Sequence, residues 1–512
     1  MTLEKIKSID NLKEILKIHK GDGKKIVHSH GCFDLIHPGH LDHFEDAKKQ
    51  GDILVVTVTR DKYIEKGPGR PFFDQDIRLR VLSSLECIDY VALNNWDTAV
   101  KTLELLKPDV YVKGKEVLNN NKIDNKVDLE GRVSNLDLEK SVVEGYGGEL
   151  YLTDMPTFSS SEIINSLTNA ISDEARPLLK DIKDSIGGGG LVETLDSLKD
   201  IKVLVMGDAI LDEYIFCTQM DKAGKSEIVA TKYDHSEIYL GGSFAIANHL
   251  AGFVSDVELI TVIGEDNQDL LDNEMKPNVS KNFFTQKNHK TIKKTRYIDN
   301  YRGDKKFEIY NFDSLKTSKT EESKIKDYLS ENISKFDLVI VSDFGHGMMS
   351  QELSDFVLNT DSYLAINSQL NAGNMGYNFI TKYNRADFVS LNEKEIRLPM
   401  QMRSEPIEVP IKELSKRLNG AGINTTRGSK GSIYYDGNIF HKFPAFNQKP
   451  IDTVGAGDAV FLLTSLLSYK GVEPKLIPFF GNCIGSISTE IMGNSRFIDA
   501  SEVKKFASYV IK

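Results

Sequence analysis

At 512 residues, with 40% hydrophobic and 27% charged side chains, the chain has an ordinary soluble-globular composition and the length for two or more domains. A formal net charge of −11 argues against a general binder of nucleic acid or anionic membrane, which would carry a basic surplus. Phosphate ligands are compatible with it, because local lysines, arginines and helix N-termini hold phosphate inside acidic proteins.

The N-terminal stretch mixes charges among apolar residues at helical spacing and contains no apolar signal core. No apolar run has the length to cross a bilayer. Cys32, Cys87, Cys217 and Cys483 are scattered without CxxC pairs or metal-type spacing, which fits reduced thiols. These features predict a cytoplasmic protein.

Residues 26–35 (IVHSHGCFDL) and 53–58 (ILVVTV) predict short buried strands. Between them HPGHLDHFEDAKKQG carries Leu41, Phe44 and Ala47 on one helical face and stops near Gly51. Strand, helix and strand at this spacing make a βαβ unit, hence a parallel sheet. A second such unit follows, with a helix near 74–86 and strands at 89–93 and 109–113. The segment 115–146 is polar and asparagine-rich and reads as an insertion or loop. Residues 171–199 are charged and contain Gly187 through Gly190, a run foreign to helices, so this stretch is expected to link a domain at 1–170 to another at 200–512. A strand opens the second half at 201–206. Strand and helix signals then alternate up to an apolar helix after Gly457, so the whole chain reads as α/β.

The first chemical constellation is HPGH. His37 and His40 stand three residues apart at a helix start, with Pro38 suited to the first turn. Backbone N–H groups and the helix dipole favour an anion there, and two imidazoles add donors to charge developing on a phosphate. GCFD lies upstream, where Gly31 permits close backbone approach. KGPGRP (66–71) offers Lys66 and Arg70, Arg78 follows on a helix, and VKGKE comes at 112–116. FSSSEII (158–164) then gives a second serine-rich helix start with capping-box spacing between Ser159 and Glu162.

In this order, residues 26–168 resemble the cytidylyltransferase-like nucleotidyltransferases, among them glycerol-phosphate cytidylyltransferase and the ADP-heptose synthase module. The resemblance implies a Rossmann-like domain in which an acceptor phosphate attacks the α-phosphate of a nucleoside triphosphate and expels pyrophosphate. It gives His37 and His40 the transition state and makes Gly31, Phe33, Lys66, Arg78, Lys113, Ser159, Ser160 and Ser161 nucleotide or phosphate contacts, with Mg²⁺ bridging the triphosphate. KGPGRP is closer to the ADP-heptose synthases, whereas Trp96 in NNW is closer to the glycerol-phosphate enzymes. The donor is therefore ATP or CTP, with ATP favoured.

The second constellation is IDTVGAGDAVF (451–461). Gly455, Ala456 and Gly457 are small enough for consecutive backbone N–H groups to face one phosphate, and Asp458 stands at the helix start, able to accept a hydroxyl proton. Its companions are GDAILDEY (207–214), GGSFAIANHLAGF (241–253), NEKE (392–395) and TTRGSKG (425–431). Together, over residues 200–512, they resemble the PfkB or ribokinase family of carbohydrate kinases. That likeness implies a ribokinase-like α/β domain with a small β-lid, placed on the alternating stretch 226–240, through which this family often pairs as a homodimer. By the same likeness Asp458 is the general base, 455–457 the anion hole, and Asn392 and Glu395 the organisers of Mg²⁺ through water. Asp208, Asp212, Gly241, Gly242 and Asn248 contact substrate, and Thr426 and Gly428 line ATP. SDFGHG (342–347) and the amide-rich INSQLNAGNMGYN (366–378) read equally as substrate contacts or as turns.

The two modules occur together in bifunctional heptose kinase/ADP-heptose synthases, where the kinase usually comes first; here the order is reversed. The expectation is a kinase and nucleotidyltransferase making a nucleotide-activated sugar or polyol. A CDP-linked product is the alternative, and a nucleotide-sensing protein with inactive sites is a reading of another class.

Overall fold

The computed structural model describes residues 3–64, 71–114, 135–153, 171–222, 229–301, 303–312, 316–446 and 450–511. The chain divides into two compact units, Met1–Ile171 with Tyr509–Lys512, and Ser172–Ser508.

In the first unit the strands are β1 (Ile6–Lys7), β2 (Ile26–Gly31), β3 (Ile53–Thr59), β4 (Tyr90–Asn94), β5 (Val110–Gly114) and β6 (Glu149–Thr153). Among the described residues they form a wholly parallel sheet in the order β1-β4-β3-β2-β5-β6. β3 is an unbroken apolar and β-branched run, buried on both faces, as a central parallel strand requires. The helix Pro38–Lys48 lays Phe44 and Ala47 against it.

The second unit holds β7 (Lys202–Gly207), β8 (Ala209–Lys222), β9 (Val229–Gly242), β10 (Asp256–Ile263), β11 (Val279–Thr285), β12 (Ile292–Asp299), β13 (Lys305–Asn311), β14 (Leu338–Asp343), β15 (Tyr363–Ser368), β16 (Phe388–Asn392), β17 (Gly422–Thr426), β18 (Ser432–Tyr435) and β19 (Phe440–Phe443). The main sheet runs β11-β10-β7-β14-β15-β16-β17-β18-β19, parallel as far as β17 and antiparallel beyond it. A separate sheet, ordered β13-β12-β8-β9, forms the lid. The α/β character expected of both halves is present. The lid, however, draws on four strands, of which the sequence pattern had flagged only β9.

Two expectations need correction. The end of the supposed insertion 115–146 is the helix Asn135–Gly145, with Leu136, Glu139 and Val143 buried along one face. Its periodicity was hidden by the asparagine-rich composition upstream; residues 115–134 lie outside the described set. The glycine run is not a linker either. Ala175–Ser185 and Gly187–Asp196 are consecutive helices within the second unit. Each helical glycine costs about 1 kcal/mol relative to alanine, but Leu191, Leu195 and Leu198 are fully buried, each worth roughly 1.5–3 kcal/mol. Ion pairs Asp181–Lys475 (2.8 Å) and Asp196–Lys504 fasten both helices to the end of the same unit. Burial along one face outweighs intrinsic propensity.

Gly189 is exposed in this helix, and a Cβ built on it meets nothing within 4 Å. Gly189→Ala is therefore expected to stabilise the second unit by about 0.5–1 kcal/mol, read as a higher urea midpoint at unchanged m-value. A disordered linker would leave the midpoint where it is.

Candidate active sites

In the first unit β2 delivers the chain to Cys32 and Phe33, and His37 caps the helix Pro38–Lys48 with extended backbone. The His37 carbonyl accepts the His40 N–H at 2.8 Å, and the two rings stack with centroids 3.8 Å apart. Phe33, at φ +48°, sets its ring edge against His40 at 5.5 Å and packs on Phe44. Gly31 makes this possible, since a Cβ there would lie 2.9 Å from the Phe33 ring. The space taken for ligand approach is thus filled by Phe33, which supports His40 from behind. Burial lowers the His37 pKa, favouring the neutral imidazole. The helix is pinned by His43, which hydrogen-bonds Ser29 of β2 at 2.9 Å and Thr153 of β6 at 2.8 Å. Burial, reinforced by Lys113, pushes the His43 pKa down to about 4.

Arg78 departs from its expected phosphate role. Its side chain is wholly buried and donates to the carbonyls of Phe73 (3.0 Å), Cys32 (2.5 Å) and Thr59 (2.8 Å), and to Asp61 (2.5 Å). With its N–H groups spent on backbone, Arg78 clamps the loops around the site. Asp34 does the same work by accepting the Phe72 and Phe73 N–H groups at 2.8 and 2.9 Å. Lys113 pairs with buried Glu139 at 3.2 Å. Lys66, Arg70 and Ser159–Ser161 lie outside the described residues. Trp96 is half-buried and packs against the cluster that holds Ile9, Leu12 and Leu16.

In the second unit a cavity of about 300 Å³ opens at the carboxyl ends of the parallel strands, where open α/β sheets place their ligands. Asn392 ends β16 and Thr426 ends β17. Lid strands supply Asp212, Gly242, Lys294, Arg296 and Tyr310, and the glycine loop supplies Gly455, Gly457 and Asp458. Gly455 caps the helix Ala456–Lys470 at φ +81°, and a Cβ there would strike Asn494 Oδ1 at 2.6 Å. First-turn N–H groups of such a helix have no acceptor within it and suit an anion.

Asp458, buried in that first turn, accepts the Gln369 amide at 2.7 Å. Burial, with Asp212 and Glu395 as like charges and Lys294 opposing, pushes its carboxyl up to about 7. Glu395 also rises to about 7 through burial, although the Asn392 and Leu370 N–H groups grip its oxygens at 2.8 and 3.1 Å. Glu395 and Asn392 form a reciprocal capping box at the start of Glu393–Met400. Asp212 pairs with Arg296 at 2.5 Å, and Gly241 leaves it room, since a Cβ there would lie 2.1 Å from Asp212 Oδ2 and push the carboxylate aside. Lys294, its pKa lowered by burial, lies under Tyr310 and Phe344.

Other expected ligands turn inward. Asp208 accepts the N–H groups of Phe344, His346 and Met348 at 3.0–3.1 Å; it shapes the SDFGHG loop and does not line the cavity. Asn248 is fully buried and bridges Glu274 and Lys276, each at 2.9 Å. Gly241 and Ala456 are also absent from the cavity wall, and Gly428 is exposed outside it. In the amide-rich segment Asn367, Gln369 and Asn371 line the cavity, Asn367 and Asn371 also donating to the carbonyls of Ser390 and Phe344, while Asn374 and Asn378 lie off it and donate to the carbonyls of Phe344 and Asp343. Sequence reasoning missed Lys294 and Arg296, although their alternation in IKKTRYID puts both on one strand face.

Residues 200–496 match the model of the pfkB family of carbohydrate kinases. The chain belongs to that family. Residues 29–166 match the cytidylyltransferase-like model, so this pfkB protein carries a cytidylyltransferase-like domain ahead of its kinase-family domain. Bifunctional protein HldE of Geobacter metallireducens is 39% identical over 173 residues, 33% of this chain and 32% of that protein. Bifunctional protein HldE of Helicobacter pylori is 42% identical over 120 residues, 23% and 25% of the two chains. The chain thus spans a third or less of the length of these curated relatives. Crystal structures of Escherichia coli phosphofructokinase-2, one with potassium and one with substrates and products, align with TM-scores of 0.52 and 0.51 at 15% and 16% identity. Each covers 61% of this chain and 100% of the other. They show the fold of the second unit.

The two accounts of Arg78 are separable. Arg78→Ala strips donors from three carbonyls and Asp61, and is expected to destabilise the first unit by about 3 kcal/mol, visible as a lowered thermal midpoint. A phosphate ligand would lower pyrophosphate release with the midpoint intact.

Proposed function

We propose that the chain is a bifunctional transferase: a sugar or polyol kinase and a sugar-phosphate nucleotidyltransferase that together make a nucleotide-activated sugar, in the manner of an ADP-heptose synthase. The observation that carries the reading is Asp458, a buried carboxylate poised near neutrality between the glycine loop and the acceptor wall of Asp212.

In the kinase step the acceptor hydroxyl stands between Asp212 and Asp458. Asp458 takes its proton as the oxygen attacks the γ-phosphorus of ATP and ADP leaves. N–H groups at 455–457 bear the charge on the transferred phosphoryl group, while Thr426 borders the nucleotide. Among the described residues no cluster of three or more acidic, histidine or cysteine side chains is built to hold a metal ion. Asn392 and Glu395 instead fit a Mg²⁺ held largely by phosphates and water, which would supply charge neutralisation to the triphosphate. In the nucleotidyl step His37 and His40 donate to the α-phosphate as the acceptor phosphate displaces pyrophosphate. ATP is the favoured donor over CTP, because KGPGRP (66–71) is closer to the ADP-heptose synthases.

A homodimer through the lid completes the proposal. Its edge strands β9 and β13 expose Tyr233, Ile238, Phe307 and Ile309, a surface suited to a second copy. Among the described residues no helix is long and apolar enough to cross a membrane. The general test incubates the chain with ATP, CTP and a panel of sugars and phosphosugars, following ADP and pyrophosphate separately.

Asp458→Asn keeps shape but loses the base. Kinase kcat is expected to fall by about 10²–10⁴, with pyrophosphate release from a pre-phosphorylated acceptor unchanged. Because the raised folded-state pKa disfavours the ionised form, Asp458 destabilises the parent increasingly as pH rises from about 4 to about 7. Above neutrality the variant should therefore show the higher denaturation midpoint, and near pH 4 the gap should close. Parental kinase turnover in this variant would remove Asp458 from the mechanism.

His40→Ala should slow pyrophosphate release by about 10²–10³ with kinase turnover intact. Equal loss of both activities would point to a folding defect.

A further inference from the structure

Two strands of the lid converge on a buried carboxylate outside the catalytic set. Asp452 opens the glycine loop, just ahead of Val454 and Gly455. Its Oδ2 accepts the Tyr214 hydroxyl from β8 and the Gly493 N–H, each at 3.0 Å. Its Oδ1 accepts the Val454 N–H at 2.9 Å and pairs with the ammonium of Lys305 from β13. Lys305 also stands 5.6 Å from the centre of the Tyr214 ring, and Arg296, which carries Asp212, stands 5.5 Å from the same ring. Gly493 is moulded to this arrangement, since a Cβ there would lie 3.0 Å from the Tyr214 ring. The neighbouring Asn494 closes against Gly455. Burial works against the charge on Asp452, yet Lys305 and the two N–H groups hold its carboxyl below the usual carboxylate range.

Of the four groups that hold this carboxylate, Tyr214 and Lys305 belong to the lid and the Val454 N–H to the loop that is to bind the transferred phosphoryl group, while the Gly493 N–H comes from the segment that sets Asn494 against Gly455. We infer that Asp452 is a positioning residue that ties the lid to that loop: Lys305 and Tyr214 hold its carboxylate, and the carboxylate holds the Val454 N–H that sets the entry to the anion hole. The inference rests on the kinase reading above. It implies that the loop takes its reactive shape only while the lid stands over the acceptor, so that closure and catalytic geometry are one event. Displacement of the loop by an ångström is enough to cost about 10²-fold in rate.

The test uses the full chain as Lys305→Met, Tyr214→Phe and Lys305→Arg variants. Backbone hydrogen exchange is followed without substrates over 452–457, beside steady-state kinetics. In Lys305→Met the exchange of 452–457 is expected to quicken by about tenfold, while β7 and β14 keep parental protection. Kinase kcat should fall by about 10- to 10²-fold with the KM for ATP within about twofold. Tyr214→Phe should shift both readouts in the same direction, and Lys305→Arg, which keeps the cation, should recover both. Parental exchange and parental kcat in Lys305→Met would overturn the inference. So would a raised acceptor KM at unchanged kcat, which would make Lys305 a contact to the acceptor and not to the loop. Should the parent form no ADP with any acceptor, the kinase reading fails, and the exchange comparison alone decides whether Lys305 holds the loop.

Discussion

The cavity of the second unit is organised around crowded negative charge. Asp212, Glu395 and Asp458 share it, and burial raises the cost of ionising each further acid. Lys294 and Arg296 offset that cost without removing it, and Asp458 is left titrating close to neutrality. Everything nearby serves this balance. Gly241 leaves room for Asp212, the capping box fixes Glu395, and the rings of Tyr310 and Phe344 offer Lys294 a π-face in place of a full counter-charge.

A division of labour recurs in both units. The side chains proposed to reach reacting groups, His37, His40 and Asp458, stand at helix starts. The charged residues beside them are spent on holding loops: Arg78 and Asp34 in the first unit, Asp208 and Asp452 in the second. A buried ion with all its partners in the chain fixes a loop more tightly than apolar packing could, because any displacement strands a charge without water.

Much of this was legible from spacing. HPGH, GAGD and NEKE mark their helix starts because only small, capping or Pro-type residues fit there, and the parallel strands announce themselves by unbroken β-branched runs. Inward or outward orientation was not legible. Asp208 and Asp212 sit in one motif, yet one faces three N–H groups and the other faces the cavity, a distinction made by a loop more than a hundred residues away. The glycine helix escaped for the opposite reason: local propensity spoke clearly, and tertiary burial of Leu191 and Leu195 overruled it. Lys294 and Arg296 carry no motif, and only strand alternation joins them.

The Tyr214–Asp452 hydrogen bond closes 238 residues of chain. Contacts of that separation contribute nothing until the intervening segments are ordered, and topologies rich in them fold slowly. On the ribosome, the lid strands β8 and β9 emerge long before the loop they must meet, exposing the aromatic edge of a sheet with no partner. Such an edge is a template for misassociation between nascent chains. The pocket that makes this protein a candidate kinase is therefore completed only when the end of the second unit meets its beginning.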